Sequence, residues 1–399
     1  LSKIQKLLLM IHASYGLAAV MSGLFLNLYL WRIAQDLTVN ALFILLTFIF
    51  GAVAFWLGGI ISKQKDRKIS YQLGIGLTAV FYLLVIILQE TVASIPMLIG
   101  VLNGLAAGFY WLGFLILLYD LVDVEARSAF LGKQMAVFGV VNTIGPALSG
   151  GIIKYFDLFG YNIIFTVSFV LFVLGVILSI WLPKDQGSKR KLKTALLWRL
   201  TNRTPIFKKM WLGWVVFGSV EGLIIFLPPL LLFMAVENEF YVSIAIIFLG
   251  IIAIFSSLWH TKYNHKEREP YTVLYVWIFY TISCIPLLVS VNLWTILIFL
   301  IVNEISKALL GVTYFSFMFR LIGTLPKKAG LRIESLVVRE VTINIGRVMS
   351  VIALISLYNF NPETIYFLLF GVILIQGYLY KIMITKTENK VEKVEVAAN

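Results

Sequence analysis

"KDQGSKRKLKTALLWRLTNR", Lys184–Arg203, is the core of the longest polar interruption in a chain that is 60% hydrophobic and 13% charged. Soluble domains are about half apolar and about a quarter charged. A basic stretch in so apolar a background therefore reads as an aqueous loop between two membrane-embedded halves. Apolar runs of eighteen or more residues recur on both sides, each long enough to cross the hydrocarbon as a helix. Six precede the loop, near residues 7–30, 40–62, 70–89, 95–121, 132–154 and 161–182. Six follow it, near 210–234, 240–260, 271–290, 294–319, 332–357 and 363–382. The expected organisation is an N-terminal six-helix bundle (1–182), a basic linker (183–209), a C-terminal six-helix bundle (210–385) and a tail (386–399).

The chain begins "LSKIQKLLLMIHASYGLAAVMSGLFLNLYL", two lysines ahead of an apolar run from about Leu7 to about Leu30. That run is too long for a signal-peptide core, and it reads as the first span. The net charge is +13 and the mean hydropathy is +0.93. The basic residues gather in alternate loops: "SKQKDRK", the Lys184–Arg203 stretch, "HTKYNHKERE", "GTLPKKAGLR" and the tail "KTENKVEK". The intervening loops hold only Arg32 and Lys154. By the positive-inside bias, both termini are expected in the cytoplasm of a multi-pass plasma-membrane protein. No basic helix or aromatic stacking motif calls for a nucleic-acid partner. The partners expected instead are the lipid bilayer, a small-molecule solute and a coupling ion, with the chain acting as a monomer.

Offsets near 200 residues bring similar segments together. "SGLFLNLYL" in span 1 falls on "EGLIIFLPPLL" in span 7, and Asn103 falls on Asn303. "LLYDLV" (117–122) falls on "SFMFRLI" (316–322), and "VNTIGP" around Gly145 falls on "INIGR" around Gly346. Equivalent positions at nearly constant spacing argue for a duplicated six-helix unit. Six spans return the chain to its starting side, so the copies are parallel repeats. The fold class expected is an all-α membrane protein of twelve transmembrane helices in two parallel-repeat six-helix bundles.

Three local patterns carry a family resemblance. Between spans 2 and 3, "GGIISKQKDRK" keeps Gly58, Lys63, Arg67 and Lys68 of a G-x-x-x-D-R-x-G-R-R-type loop, with Ser62 in place of the acid and Lys65 in place of the later glycine, and Gly59 adds a second packing or gating glycine. In span 4, "GVLNGLAAG" follows R-x-x-Q-G-x-G-A-A, with Gly100 at the arginine position. In span 5, "GPALSGG" holds Gly145, Pro146, Gly150 and Gly151, and is similar to G-P-x-L-G-G with Ser149 replacing one glycine. Together with the two six-span halves, these resemble the major facilitator superfamily, in particular its twelve-span drug-efflux-like bacterial members. The resemblance implies transport by alternating access, and the span 5 pattern, enriched in antiporters, implies exchange. Physically, small residues in span 5 admit close backbone approach, and a proline there bends the helix. Pro228 and Pro229 in "FLPPLLLF" are expected to bend the outer end of span 7, as a gate or as a packed kink.

The C-terminal half carries six ionisable residues deep within spans: Glu221 in span 7, Glu304 and Lys307 in span 10, and Arg339, Glu340 and Arg347 in span 11. Each costs roughly 2.5–3.5 kcal/mol at a helix centre if left unpaired. Three acids and three bases can neutralise one another. Glu304 and Lys307 are an i,i+3 pair, and Glu340, Asn344 and Arg347 lie within about 40° of one helical stripe. These residues are candidates for solute binding or proton coupling, or for a salt-bridge cluster that fixes packing. The resemblance places spans 7 and 10 on a central cavity, with Asn27, Asn103, Tyr110 and Trp111 facing it from the N-terminal half.

There is no phosphate-binding G-x-x-x-x-G-K-[ST] loop and no polar catalytic set at an interfacial loop, so neither ATP hydrolysis nor enzyme activity is expected. The lone Cys284 and the three histidines His12, His260 and His265 make no metal set, and no cofactor is expected. The reading is a secondary active transporter exporting a small amphipathic compound by proton antiport. The alternatives are uptake or exchange of a small anionic metabolite, and a non-transporting scaffold or sensor.

Overall fold

The computed structural model describes residues 2–122, 124–184, 191–203, 205–263, 268–323 and 331–384. In order, the helices are α1 (Lys3–Ala34), α2 (Leu37–Gln64), α3 (Lys68–Leu88), α4 (Pro96–Leu121), α5 (Val124–Phe156), α6 (Leu158–Ile180), α7 (Thr194–Asn202), α8 (Pro205–Ile224), α9 (Leu227–Val236), α10 (Glu239–Tyr263), α11 (Glu269–Val289), α12 (Leu293–Gly323), α13 (Arg332–Phe360), α14 (Thr364–Ile375) and α15 (Tyr378–Met383). Among the described residues, twelve helical stretches are long and apolar enough to cross a membrane. The tail 386–399, linker residues 185–190 and most of "GTLPKKAGLR" lie outside the described residues, as do positions 264–267 of "HTKYNHKERE".

Local chemistry sets where the helices begin. Ser2 caps α1 through a reciprocal capping box with Gln5, so the helix starts well before the apolar run. The Asp36 side chain accepts from the Thr38 amide and caps α2. Pro96 opens α4, where its missing N–H costs nothing. Three of the twelve stretches are composite: Lys68–Ser94 passes at Gln89 (φ 48°) into the 3-10 turns Gln89–Ser94, and two others are broken by turns. Pro228 and Pro229 cannot donate to the carbonyls four residues before them, and a turn at Ile225–Phe226 separates α8 from α9. Around Gln376–Gly377 a second turn separates α14 from α15, and a β-carbon on Gly377 would stand 2.6 Å from the Trp277 ring.

The chain forms two compact units. One contains the residues up to Leu192 together with Val236–Phe248, and the other contains Lys193–Ala235 and the residues from Leu249 onward. In the first, α4 packs on α2 and α3, α1 on α5 and α6, and α3 on α6. In the second, α8 packs on α13, α11 on α12 and on α14, and α15 on α8. The first and fifth spans of each unit therefore pair, as do the third with the fourth and the third with the sixth. This common internal wiring is what duplication of a six-span unit predicts.

Close approach of glycines decides two of these pairings. In the first unit, β-carbons on Gly100, Gly104 and Gly108 would each meet a backbone carbonyl of α2, those of Phe43, Thr47 and Gly51, at 2.5 Å. In the second, β-carbons on Gly218 and Gly346 would collide with the carbonyls of Ile343 and Val215, and one on Gly222 would lie 2.7 Å from Arg347 Cα. The α8–α13 contact is thus a seam of close backbone approach at these three glycines, the geometry that small residues permit between membrane helices. Below it lies an apolar core that includes Met210, Trp214, Tyr314, Met318 and Leu379.

Candidate functional site

The α8–α13 seam brings Glu221 against Arg347. Both lie near the middle of their stretches, Pro205–Val236 and Arg332–Phe360. The Arg347 guanidinium donates from Nε and Nη2 to Glu221 Oε2, at 3.0 and 2.6 Å. Its Nη1 donates to Glu340 Oε1 at 2.9 Å and to Asn344 Oδ1 at 3.1 Å. Asn344 in turn donates from Nδ2 to the Glu340 backbone carbonyl at 3.0 Å, and Arg339 Nη2 lies 3.5 Å from Glu340 Oε2. One guanidinium therefore holds a carboxylate from each of two helices. With two acids and two bases the set is balanced in charge, which is what makes it tolerable inside a span. The Glu221 side chain is 35% exposed and that of Glu340 13%, so Glu221 is the more open member.

Glu304 and Lys307 form a second, separate chain of bonds. Lys307 Nζ donates to Glu304 Oε1 at 2.7 Å, and Asn303 Nδ2 donates to the same oxygen at 3.1 Å. The Tyr280 hydroxyl of α11 donates to Asn303 Oδ1 at 2.6 Å. These bonds fasten α12 to α11. The six charges thus divide into a set of four around Arg347 and a pair braced by Asn303 and Tyr280.

Of the candidates in the first unit, Tyr110 is fully buried and Trp111 is 43% exposed. Asn103 Nδ2 donates to Thr47 Oγ1 at 3.3 Å, bonding α4 to α2. Asn27 Nδ2 donates to its own helix at Gly23, and the Asn27 carbonyl accepts from Asn40 Nδ2 at 2.7 Å. These two asparagines serve helix packing in this conformation. Tyr110 belongs to a different group, because its hydroxyl is hydrogen-bonded to Nδ1 of His12. His12 Nε2 lies 3.1 Å from Gln134 Nε2, and the imidazole stacks on Phe114 with centroids 3.7 Å apart. In the sequence His12 is one of three histidines that make no metal set. The available signal was its position, an ionisable side chain inside the first apolar run.

A third polar group joins three helix ends in the first unit. Arg32 donates to Glu239 Oε1 at 2.9 Å and is ion-paired with Asp157, while the Tyr161 hydroxyl donates to Glu239 Oε1 at 2.8 Å. It holds the first turn of α10. Gly150 packs there too, since a β-carbon on it would collide with Ser243. Gly145 approaches Val20, and the Ser149 hydroxyl donates to the Met21 carbonyl at 3.0 Å. Pro146 is buried within a continuous α5, whereas Gly151 has open space around it. "GPALSGG" is therefore a packing surface on two sides, toward α1 through Gly145 and Ser149 and toward α10 through Gly150.

A family model, the Major Facilitator Superfamily, matches residues 8–333. The chain belongs to the major facilitator superfamily. It is 26% identical over 367 residues to the uncharacterized protein YqgE of Bacillus subtilis (strain 168), across 90% of this chain and 83% of that one. An uncharacterized protein in the sodM 3′ region of Geobacillus stearothermophilus is 33% identical over 148 residues, 37% of this chain and 69% of that one. Among solved structures, a peptide transporter POT in complex with sulfate superposes with a TM-score of 0.73 at 12% identity, covering 98% of this chain and 95% of that one. A bacterial homologue of the iron transporter ferroportin, in its inward-facing state, gives 0.68 at 14% identity, covering 97% and 100%. At these identities the structures share the fold. As a superfamily member with twelve apolar helical stretches among its described residues, the protein is a multi-pass membrane transporter.

Two departures from the superfamily patterns now have physical reasons. At Gly100, where the span 4 pattern has arginine, the backbone of α2 leaves no room for any side chain. In the last turn of α2, Ser62 replaces the acid and its hydroxyl pairs with that of Ser70 at 3.1 Å. Arg67 of the following loop finds its carboxylate on α4, donating to Asp120 Oδ2 at 2.6 Å, and Lys68 Nζ donates to the Leu182 carbonyl at 3.0 Å. Gly58 lies against Leu112 of α4, Gly59 is buried, and Lys63 is buried.

Proposed function

We propose that this transporter exports a small amphipathic compound in exchange for protons, with the Glu221–Arg347–Glu340 set as the exchanging element. The observation that carries the reading is a single guanidinium shared between two carboxylates on different helices. With both acids ionised, Arg347 is fully engaged and the set, counted with Arg339, has no net charge. A proton on either acid removes one of its two partners and leaves the set at +1. Proton binding and solute binding then compete for the same few atoms, which is the requirement for exchange. Net neutrality suits a solute that is mainly apolar, and the glycine-lined surfaces of α5 are consistent with an antiporter.

In this reading the two six-span units present the site alternately to either side of the plasma membrane. The basic loops and both termini face the cytoplasm, and the chain works as a monomer. A second reading, uptake or exchange of a small anionic metabolite, draws on Arg339 and Arg347, since guanidinium is a good partner for carboxylate or phosphate.

Purified protein in liposomes, screened against cationic, neutral and anionic amphipathic solutes with and without an imposed pH gradient, separates the two. Accumulation of an amphipathic solute that appears only with the gradient is the expected result. Anion exchange indifferent to the gradient would favour the second reading and overturn the first.

A further inference from the structure

We propose that His12 is a proton-binding site of the N-terminal unit, with Tyr110 and Gln134 as the acceptors that a doubly protonated ring requires. This is a separate site from the carboxylates around Arg347. The imidazole is 1% exposed, and its ring is flanked by Tyr110, Trp111 and Phe114 from α4 and by Gln134 and Phe138 from α5. None of these groups is charged. The titratable ones near the ring are Tyr110 itself, Tyr15 of α1 stacked on Tyr110 at 3.3 Å, and Tyr71 of α3 stacked on Tyr110 at 5.3 Å.

The hydrogen-bond inventory lets the ring be satisfied in either protonation state. In the neutral state Nε2 accepts from the Gln134 amide NH2, and Nδ1–H donates to the Tyr110 oxygen. In that arrangement Gln134 Oε1 is a buried acceptor with no hydrogen-bond partner. Turning the amide over brings Oε1 to face Nε2. The ring then accepts a proton at Nε2 from hydrating water, donates from both nitrogens, and loses neither partner. The Phe114 face, parallel to the imidazole within 2°, adds cation–π attraction for the charged form.

Burial sets the direction of the coupling. A cationic ring without a carboxylate beside it is penalised in a site that excludes water. The closed arrangement seen here therefore holds the neutral ring, and the proton binds when the site hydrates. Trp111, 43% exposed, and the exposed Met135 next to Gln134 are the open side chains beside the ring and its amide partner. Protons accordingly favour the hydrated conformer of this unit by differential binding.

The test is nitrogen-15 NMR of histidine-labelled protein in liposomes between pH 5 and 8, reading the protonation of each ring nitrogen directly. A variant with His260→Gln and His265→Gln leaves His12 as the one histidine and does not touch the site. The expected result is a single step from one to two protonated nitrogens, with Gln134→Met lowering its midpoint by about one pH unit through loss of the acceptor. A ring that stays singly protonated down to pH 5 would overturn the proposal. So would a midpoint that Gln134→Met leaves in place. Neither readout depends on the solute or on Glu340, so failure here is distinguishable from failure of the carboxylate–arginine exchange.

Discussion

Arg347 satisfies two carboxylates at once, so its removal strands both. Taking one partner from a buried ion pair costs about 3–5 kcal/mol. Because Glu221 keeps 35% of its side-chain surface open, the lower end applies. Arg347→Ala is therefore expected to lose about 3 kcal/mol of stability, read from thermal unfolding in detergent. Combining it with Glu340→Gln should recover part of that loss, and simple additivity of the two would deny that they share a bond. At this scale the charged residues were legible in the sequence, because an ionisable side chain in an apolar span is conspicuous. Their partners were not. Glu221 and Arg347 stand 126 positions apart, and only the packing of α8 on α13 selects that pair over Glu304 with Arg347. His12 was overlooked for the same reason, since Tyr110 and Gln134 reach it from two other helices.

The seam between α8 and α13 is what places Glu221 beside Arg347, and it exists because Gly218, Gly222 and Gly346 have no side chains. Overpacking a well-fitted contact costs typically about 1–3 kcal/mol, more where the obstacle is backbone. Gly346→Leu points at the Val215 carbonyl and is expected to abolish transport together with stability. Gly371→Ala on α14, where nothing lies within 4 Å, should be neutral or stabilise by about 0.5–1 kcal/mol through helix propensity alone. Unfolding temperatures of the two variants, measured side by side, check the contrast. Apolar length located the spans to within a few residues, and the Pro228–Pro229 pair marked the break between α8 and α9. The glycines in "GVLNGLAAG" were visible too, yet their meaning depended on the carbonyls of α2 that face them. The absence of arginine at Gly100 is a packing necessity, which no reading of α4 by itself supplies.

For the molecule as a whole, the first turns of α10 belong with the N-terminal unit, held by Arg32, Tyr161 and Gly150. The remainder of the helix belongs with the other unit. That division was hidden in the sequence, where spans follow one another as equals and Arg32 precedes Glu239 by 207 positions. The repeat was legible because duplication leaves matched segments at a nearly constant offset, and both units share the first–fifth, third–fourth and third–sixth span pairings. What the duplicated units do not share is charge. The N-terminal copy has Pro146 where the C-terminal copy has Arg347, and the proposed exchange rests on that difference. The direct test is Glu340→Gln in liposomes, comparing solute counterflow at equal pH with accumulation driven by a pH gradient. Counterflow that persists while gradient-driven accumulation is lost is the predicted result. Gradient-driven accumulation undiminished in the variant would contradict it.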